Sequence, residues 1–167
     1  MATPGIGQLM IERYAKTRRE RLFRASGEEF VILQDSARGH FPAYLGARGS
    51  STDERLREER LADLVELRAH WSARCVQSNR VRLHECVNRF NDRNKLLTAS
   101  VRESHLSPAL TVVGKSRFWI RDDDDFRPFV RFIDMSLASA VKLFEFVYEE
   151  MNVPSAAELE RSLRLTG

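Results

Sequence analysis

The chain has 167 residues, of which 43% are hydrophobic and 31% charged, and its formal net charge is +3. This length fits one ordinary domain, and the composition is too apolar for a disordered chain. No apolar run reaches the ~18–20 residues of a membrane-spanning helix, so a transmembrane protein is excluded. Two cysteines are too few for a disulfide framework, and no secretory signal is visible. The sequence therefore predicts an intracellular protein of the cytoplasm, cytoskeleton or an organelle interior, not a secreted one.

The first 50 residues are predicted to form an N-terminal helical segment and a linker. Residues 6–24 fit a helix with a basic stretch along it. Ser26 is followed three residues later by glutamate, the spacing of a capping box, which favours a second helix that Gly39 would end. Residues 30–33 could equally be a short buried strand. Residues 39–50 contain three glycines and a proline, which is typical of a loop.

Residues 51–107 contain neither glycine nor proline. Apolar side chains recur at intervals of three and four from Leu61 to Val101, which is typical of an amphipathic helix. We therefore predict one long, coiled-coil-like helix over this stretch. The alternative is a helical hairpin, in which the helix breaks near Asn79 or between residues 91 and 94.

The last part of the chain is predicted to contain a small β-hairpin and a second strong helix. The hairpin is expected over residues 109–121, and the helix, which is apolar on most sides, over residues 126–151. A short final helix would begin at Ser155. The predicted fold class is mainly α, with a long amphipathic helix, a second apolar helix and a small hairpin between them. The predicted organisation is a segment 1–50 and a helical domain 51–167.

One sequence pattern resembles a nucleotide-binding loop. Gly114, Lys115 and Ser116 end a stretch that fits the loose phosphate-loop spacing. A real phosphate loop follows a buried strand and opens a helix, and neither is predicted here. The β-branched residues 111–113 are also too stiff for a tight nest around phosphate. We therefore expect no bound nucleotide and no small-molecule substrate.

The other candidate sites fit structural roles better than chemical ones. The four aspartates 122–125 are interpreted as the solvated start of a helix and not as a cation site. His70 and Cys75, five apart, would not share a helical face, and neither would His84 and Cys86, two apart, so no zinc site is expected. Both cysteines fit small core residues. We predict no catalytic residues, no cofactor and no metal.

The candidate partner-binding residues are of two kinds. Arg82, Arg89 and Arg93 would share one basic helical face, and Phe129 and Phe144 lie on the apolar face of the helix predicted at 126–151. An apolar helix face that exceeds the needs of a core is typical of an interface. The sequence therefore favours docking onto another macromolecule over catalysis.

The predicted function is a non-catalytic structural or adaptor subunit of a larger intracellular assembly. A cytoskeletal, axonemal or organellar complex is expected, with other protein subunits or a second copy as partners. The alternative is a nucleic-acid-associated protein, such as a ribosome accessory subunit, that uses basic helix faces in residues 12–24 and 74–95. Affinity for nucleic acid would then fall steeply with salt.

Overall fold

In a computed structural model, the residues described are 5–18, 22–25, 29–48, 63–103, 107–154, 161 and 164. Within them the chain is a mixed α/β fold, with one six-stranded antiparallel sheet and three α-helices. The elements in chain order are α1 Ile6–Arg18, β1 Leu22–Arg24, β2 Glu29–Ser36, β3 Gly39–Arg48, β4 Asp63–His70, α2 Arg80–Arg93, β5 Thr98–Glu103, β6 Leu110–Ile120 and α3 Phe126–Met151.

The strands lie in the order β1-β2-β3-β4-β6-β5, and every neighbouring pair is antiparallel. Because β6 pairs antiparallel with both β4 and β5, these two strands run parallel to each other on either side of it, with α2 in the connection between them. The sheet also continues across the boundary predicted at residue 50, since Tyr44 of β3 pairs with Arg68 of β4.

One face of the sheet packs against all three helices, and the main core lies between the two layers. The backbone N–H of Gly7 in α1 donates a 2.8 Å hydrogen bond to buried Asp63 in β4. Phe41 of β3 contacts Phe144 of α3, with ring centroids 4.8 Å apart, and Asn91 of α2 bonds both backbone groups of Ala99 in β5. Alternate strand residues are buried here: Ile32, Ala43, Leu45, Val65, Leu67, Ala69, Leu110, Val112 and Ile120.

None of the described helices packs on the opposite face, which we call the open face. Its side chains come from the other alternate positions, as in any pleated strand. Val31, Tyr44, Arg68 and Lys115 form one row across this face. Val31 pairs with Tyr44, Tyr44 with Arg68, and Arg68 with Lys115, across four adjacent strands. Within the described residues, the fold is therefore a two-layer α/β sandwich with its helices on one side of the sheet.

The prediction of a mainly α fold is wrong, and the prediction of one long helix over 51–107 is wrong with it. Residues 51–62 and 104–106 lie outside the described residues, and the remainder forms β4, α2 and β5. Along β4, alternate residues are buried (Asp63, Val65, Leu67 and Ala69), which is the period of a strand, and Glu66 of the other face is buried as well. The helix α2 begins after Asn79 and ends before Asn94, the two places where a break was considered.

The two flanking predictions also need correction. Among the described residues of the first 50, only Ile6–Arg18 is helical. The alternative of a buried strand at residues 30–33 is correct, since they lie in β2. The expected loop 39–50 is largely β3, in which Gly39 takes a positive φ of 115° at the turn. The expected hairpin at 109–121 is one long strand, β6.

The helix predicted over residues 126–151 is confirmed, because α3 spans Phe126–Met151. It ends at Asn152, which adopts the left-handed conformation with φ 51°. It begins after a short 3-10 turn at Asp123–Asp125, which is closed by a capping box between Asp122 and Asp125. The final helix predicted from Ser155 lies outside the described residues. Among the described helices, none is long and apolar enough to cross a membrane.

Candidate functional site

A groove of about 940 Å³ lies on the open face, where β4 ends and the loop after it begins. We call it the cationic groove, because two arginines, a lysine and a histidine line it against one acidic side chain. It is lined by Tyr44, His70, Trp71, Ser72, Arg74, Arg102, Glu103, Thr111, Val113 and Lys115. All ten belong to the described part of the chain.

Strand register brings the basic residues of the groove together from distant parts of the sequence. His70 pairs with Val113, and Arg102 pairs with Thr111, so both lie on the same face as Lys115. The loop after β4 stays close to β6 through backbone hydrogen bonds, such as Trp71 N–H to Val112 O at 2.9 Å. The groove is therefore held by the sheet itself and not by a loop alone.

The groove has an excess of positive charge that the described residues do not neutralise. Glu103, its acidic residue, forms an ion pair with Arg80 of α2. Arg74 has a long contact, 3.5 Å, to the hydroxyl oxygen of Ser107. Within the described residues, neither Lys115 nor Arg102 has an acidic partner. An anion entering the groove would therefore meet cations that are available for pairing.

His70 lies against other charged and aromatic groups at the centre of the groove. Its ring contacts the Tyr44 ring edge-on, with centroids 5.0 Å apart and planes at 72°. Burial lowers the pKa of His70 below the ordinary 6.5, and the charges of Arg68 and Lys115 lower it further, while Glu29 opposes them. His70 therefore stays neutral near pH 7. A negatively charged neighbour would favour its protonated form.

This arrangement predicts a pH effect on stability. Unfolding restores an ordinary pKa of about 6.5 to His70, so the unfolded chain takes up a proton before the folded chain does as the pH falls. We expect the free energy of unfolding to decrease below pH ~6.5, and the His70→Gln variant to lose that part of the decrease. NMR titration of the ring should give a pKa below 6.5, and Lys115→Met should raise it, whereas Lys142→Met on α3 should not. A wild-type value at or above 6.5 would contradict the described charge environment.

A band of paired charges borders the groove on the open face. Arg68 forms an ion pair with Glu29, and its Nε lies 3.8 Å from Glu66. Arg117 donates a 2.9 Å hydrogen bond from Nε to the other oxygen of Glu66. These charges are neutralised within the sheet, in contrast to Lys115 and Arg102.

An apolar strip adjoins the groove across strands β1 to β3. It consists of Phe23, Val31, Leu33, Pro42 and Tyr44, which are brought side by side by the pairs Phe23 with Val31, Val31 with Tyr44, and Leu33 with Pro42. Phe23 is 52% exposed and Leu33 is 49% exposed. Large apolar side chains left together on a sheet face are typical of a contact surface.

The candidate nucleotide loop has no loop geometry. Gly114, Lys115 and Ser116 lie in the middle of β6, with Lys115 on the open face and Ser116 on the helix face. The Ser116 hydroxyl forms a buried 2.8 Å hydrogen bond with the Ser136 hydroxyl of α3. Because consecutive strand side chains point to opposite faces, Lys115 and Ser116 cannot act together on one phosphate.

The described residues also offer little for covalent or metal chemistry. Among them, no three His, Cys, Asp or Glu side chains are placed to hold a metal ion. Cys75 and Cys86 are free and buried, as expected for core residues. Burial raises the pKa of both thiols, and that of Cys86 rises to about 11. A thiol with such a pKa is a poor nucleophile near neutral pH.

The sequence-based candidates for partner binding lie elsewhere. Arg82 donates a 2.5 Å hydrogen bond to the backbone oxygen of Glu150, and Arg89 forms an ion pair with the Glu150 carboxylate. Two of these three candidate arginines therefore hold the end of α3, while Arg93 is exposed. Phe129 and Phe144 are 0% and 2% exposed, so both phenylalanines lie in the core of the chain.

Sequence reasoning missed the groove, although one signal was available. In residues 63–70, apolar residues alternate with Glu66, Arg68 and His70. Alternation with charged residues on one side is typical of a half-exposed strand. The sequence alone does not show which strand lies next to β4, so the approach of Lys115 and Arg102 could not be inferred.

Comparison with known proteins gives the fold and no family. No protein-family model matches the chain, and no curated protein matches it. A solved structure, YbjN from E. coli, described as a proposed transcription regulator, matches with a TM-score of 0.65 at 9% identity. The match covers 93% of this chain and 99% of YbjN. The chain therefore shares the architecture of YbjN, and at this identity the likeness extends to the fold alone.

Proposed function

We propose that the chain is a non-catalytic protein-binding module of an intracellular assembly, and that it docks through the open face of its sheet. The observation that carries this proposal is the apolar strip, in which two large side chains are about half exposed on a face without a described helix. This differs from the predicted docking through apolar helix faces, because Phe129 and Phe144 are already used inside the chain.

The open face has the composition of an interaction surface. Protein interfaces combine an apolar centre, rich in aromatic residues, with a polar and charged rim. Here the strip supplies Phe23 and Tyr44, and the neighbouring groove and charge band supply arginine, lysine and glutamate. A six-stranded sheet face is also broad enough for the ~800 Å² that a standard interface takes from each partner.

Binding without catalysis is supported by the chemistry of the described residues. The thiols are buried with raised pKa values, and the candidate phosphate loop is part of a strand. Free buried cysteines also fit a reducing compartment. The proposal names no particular assembly, and it no longer uses the long helix that favoured a scaffold role, because the described part of that stretch forms β4, α2 and β5.

Nucleic-acid association through the basic residues of α2 is the weaker candidate. Arg82 and Arg89 are bonded to Glu150, so they are not free to track a phosphate backbone. The description of YbjN as a transcription regulator concerns that protein, and 9% identity does not carry its surface residues to this chain.

The test compares two exposed aliphatic residues on opposite layers of the molecule. Tagged full-length chain would be purified from its source cells as wild type, as Leu33→Asp in the strip, and as Val81→Asp on α2, where Val81 is 70% exposed. We expect a co-purifying protein to fall roughly tenfold or more with Leu33→Asp, a loss of about 1.4 kcal/mol, and to persist with Val81→Asp.

Circular dichroism and urea unfolding would first establish that both variants fold. Partner sets that are the same for wild type and Leu33→Asp would overturn the proposal. Loss of the same partner with Val81→Asp would overturn it as well, since the helix layer would then carry the contact.

A further inference from the structure

We propose that the cationic groove binds an acidic, extended segment of a protein, whose carboxylates pair with Lys115 and Arg102. This inference rests on the proposed docking function and names the chemistry of the partner. It concerns a site next to the apolar strip and not the strip itself. Tyr44 belongs to both surfaces, so a single segment could lie across them.

The charges in the groove call for an anionic ligand. Within the described residues, Lys115 and Arg102 lack acidic partners, and Glu103 is held by Arg80. Lys115 lies between β4 and β5, because it pairs with Arg68 on one side and Thr98 on the other. Cations fixed on adjacent strands are preorganised for an anion, and this lowers the conformational cost of binding.

The walls of the groove favour a peptide over a simple inorganic anion. Tyr44 and the aliphatic stems of the basic side chains provide apolar surface between the charged groups. A volume of about 940 Å³ is far larger than one phosphate needs. An extended peptide alternates its side chains every residue, and can therefore place carboxylates on the cations and apolar groups on Tyr44.

The same surroundings disfavour a nucleic acid. A polyphosphate backbone would carry a charge at every nucleotide past the partly exposed Glu103, whereas a peptide can place an uncharged residue there. Single-stranded nucleic acid is usually held by aromatic faces on which bases stack. Here Trp71 is only 4% exposed, and Tyr44 is engaged edge-on by His70.

The experiment uses the full-length chain and a defined probe. The probe is a capped hexapeptide of alternating glutamate and alanine, and its matched control replaces each glutamate with glutamine. Binding is followed by amide chemical shifts in two-dimensional NMR. We expect saturable shifts centred on His70, Arg102 and Lys115 with the acidic peptide, a dissociation constant in the millimolar range or tighter, and none with the neutral control.

Variants and salt locate the binding site. Lys115→Ala and Arg102→Ala should each weaken acidic-peptide binding by about fivefold, whereas Lys142→Ala on α3 should leave it unchanged. Raising salt from about 50 mM to about 200 mM should weaken it severalfold, since exposed charge pairs are screened. Unchanged binding in both groove variants would overturn the assignment.

Further arms separate the competing ligands. The proposal would be overturned if a single-stranded RNA hexamer bound more tightly than the peptide. It would also be overturned if inorganic phosphate saturated the same residues without peptide binding, or if about 5 mM peptide caused no shift. Failure here leaves the docking test with Leu33→Asp standing, because that test uses the strip. Conversely, peptide binding together with an unaltered partner set in Leu33→Asp would overturn the docking function alone.

Discussion

Replacing Phe129 or Phe144 with alanine is expected to lower the free energy of unfolding by about 3–5 kcal/mol in each case. Phe129 is fully buried between α1 and β6, where its ring contacts Tyr14 at 6.3 Å and Phe118 at 6.1 Å between centroids. Phe144 packs edge-on against Phe41 of β3. Each truncation removes apolar contacts and leaves a cavity that the sheet and helix can only partly close.

Urea unfolding of the isolated chain measures the effect. Met135 on the same helix is 47% exposed, so Met135→Ala is a suitable control and should change the free energy of unfolding by no more than about 0.5 kcal/mol. A loss below about 1 kcal/mol for either phenylalanine would mean that its ring does not pack in the core. That face of α3 would then be available to a partner, as the sequence first suggested.

The helix α3 could be predicted from the sequence because its signal is local. Apolar residues lie on most of its surface, aspartates precede it, and Asn152 ends it in a left-handed conformation. Residues three and four apart in the chain are neighbours in a helix, so the sequence itself records which side chains share a face. The burial of Cys86 was predictable for the same reason, since it lies on the buried face of α2. Cys75 is also buried, but it lies outside the helices, where its backbone pairs with Leu110.

The sheet could not be predicted in the same way, because its stabilising contacts join distant residues. Residues 63–70 read as helical in a stretch without glycine or proline, yet they become a strand because β3 and β6 lie on either side. Strand preference depends on these neighbours more than on the residues themselves. Pro42 and Gly46 suggested a loop, but both lie in β3. The pairing of β3 with β4 begins at Ala43, which pairs with Ala69, so Pro42 has no partner in β4.

The candidate site was out of reach for a related physical reason. Lys115 was considered because of its sequence neighbours Gly114 and Ser116, whereas its spatial neighbours are Arg68, His70 and Thr98. A cationic surface on a sheet is assembled by register, and a shift of one residue would send Lys115 into the helix layer. The groove thus depends on the pairing of β6 with both β4 and β5.

The Gly114→Ala variant is expected to lower the free energy of unfolding by about 1–3 kcal/mol. A methyl group added at Gly114 would lie 2.7 Å from Cδ2 of Leu97 and 3.1 Å from Cδ2 of Leu143. Both leucines are fully buried, so neither can move aside without disturbing the core. This glycine therefore allows β6 to approach the helix layer closely, and it does not serve a phosphate-binding turn.

Gly46→Ala is the matched control, because Gly46 also lies within a strand of this sheet. A methyl group there would meet the flexible Glu29 side chain, with Cγ at 3.2 Å, so little or no destabilisation is expected. In addition, Leu97→Val should relieve part of the overlap between the added methyl group and Leu97 in the Gly114→Ala variant. A double-mutant cycle should therefore show a favourable coupling energy between the two substitutions. Equal stability of the Gly114→Ala variant and wild type would contradict the close packing of β6 on Leu97. In the apparent nucleotide motif, Gly114 is therefore required by the packing of the core. Lys115 lies on the other face of the sheet, where it is free to bind an anion.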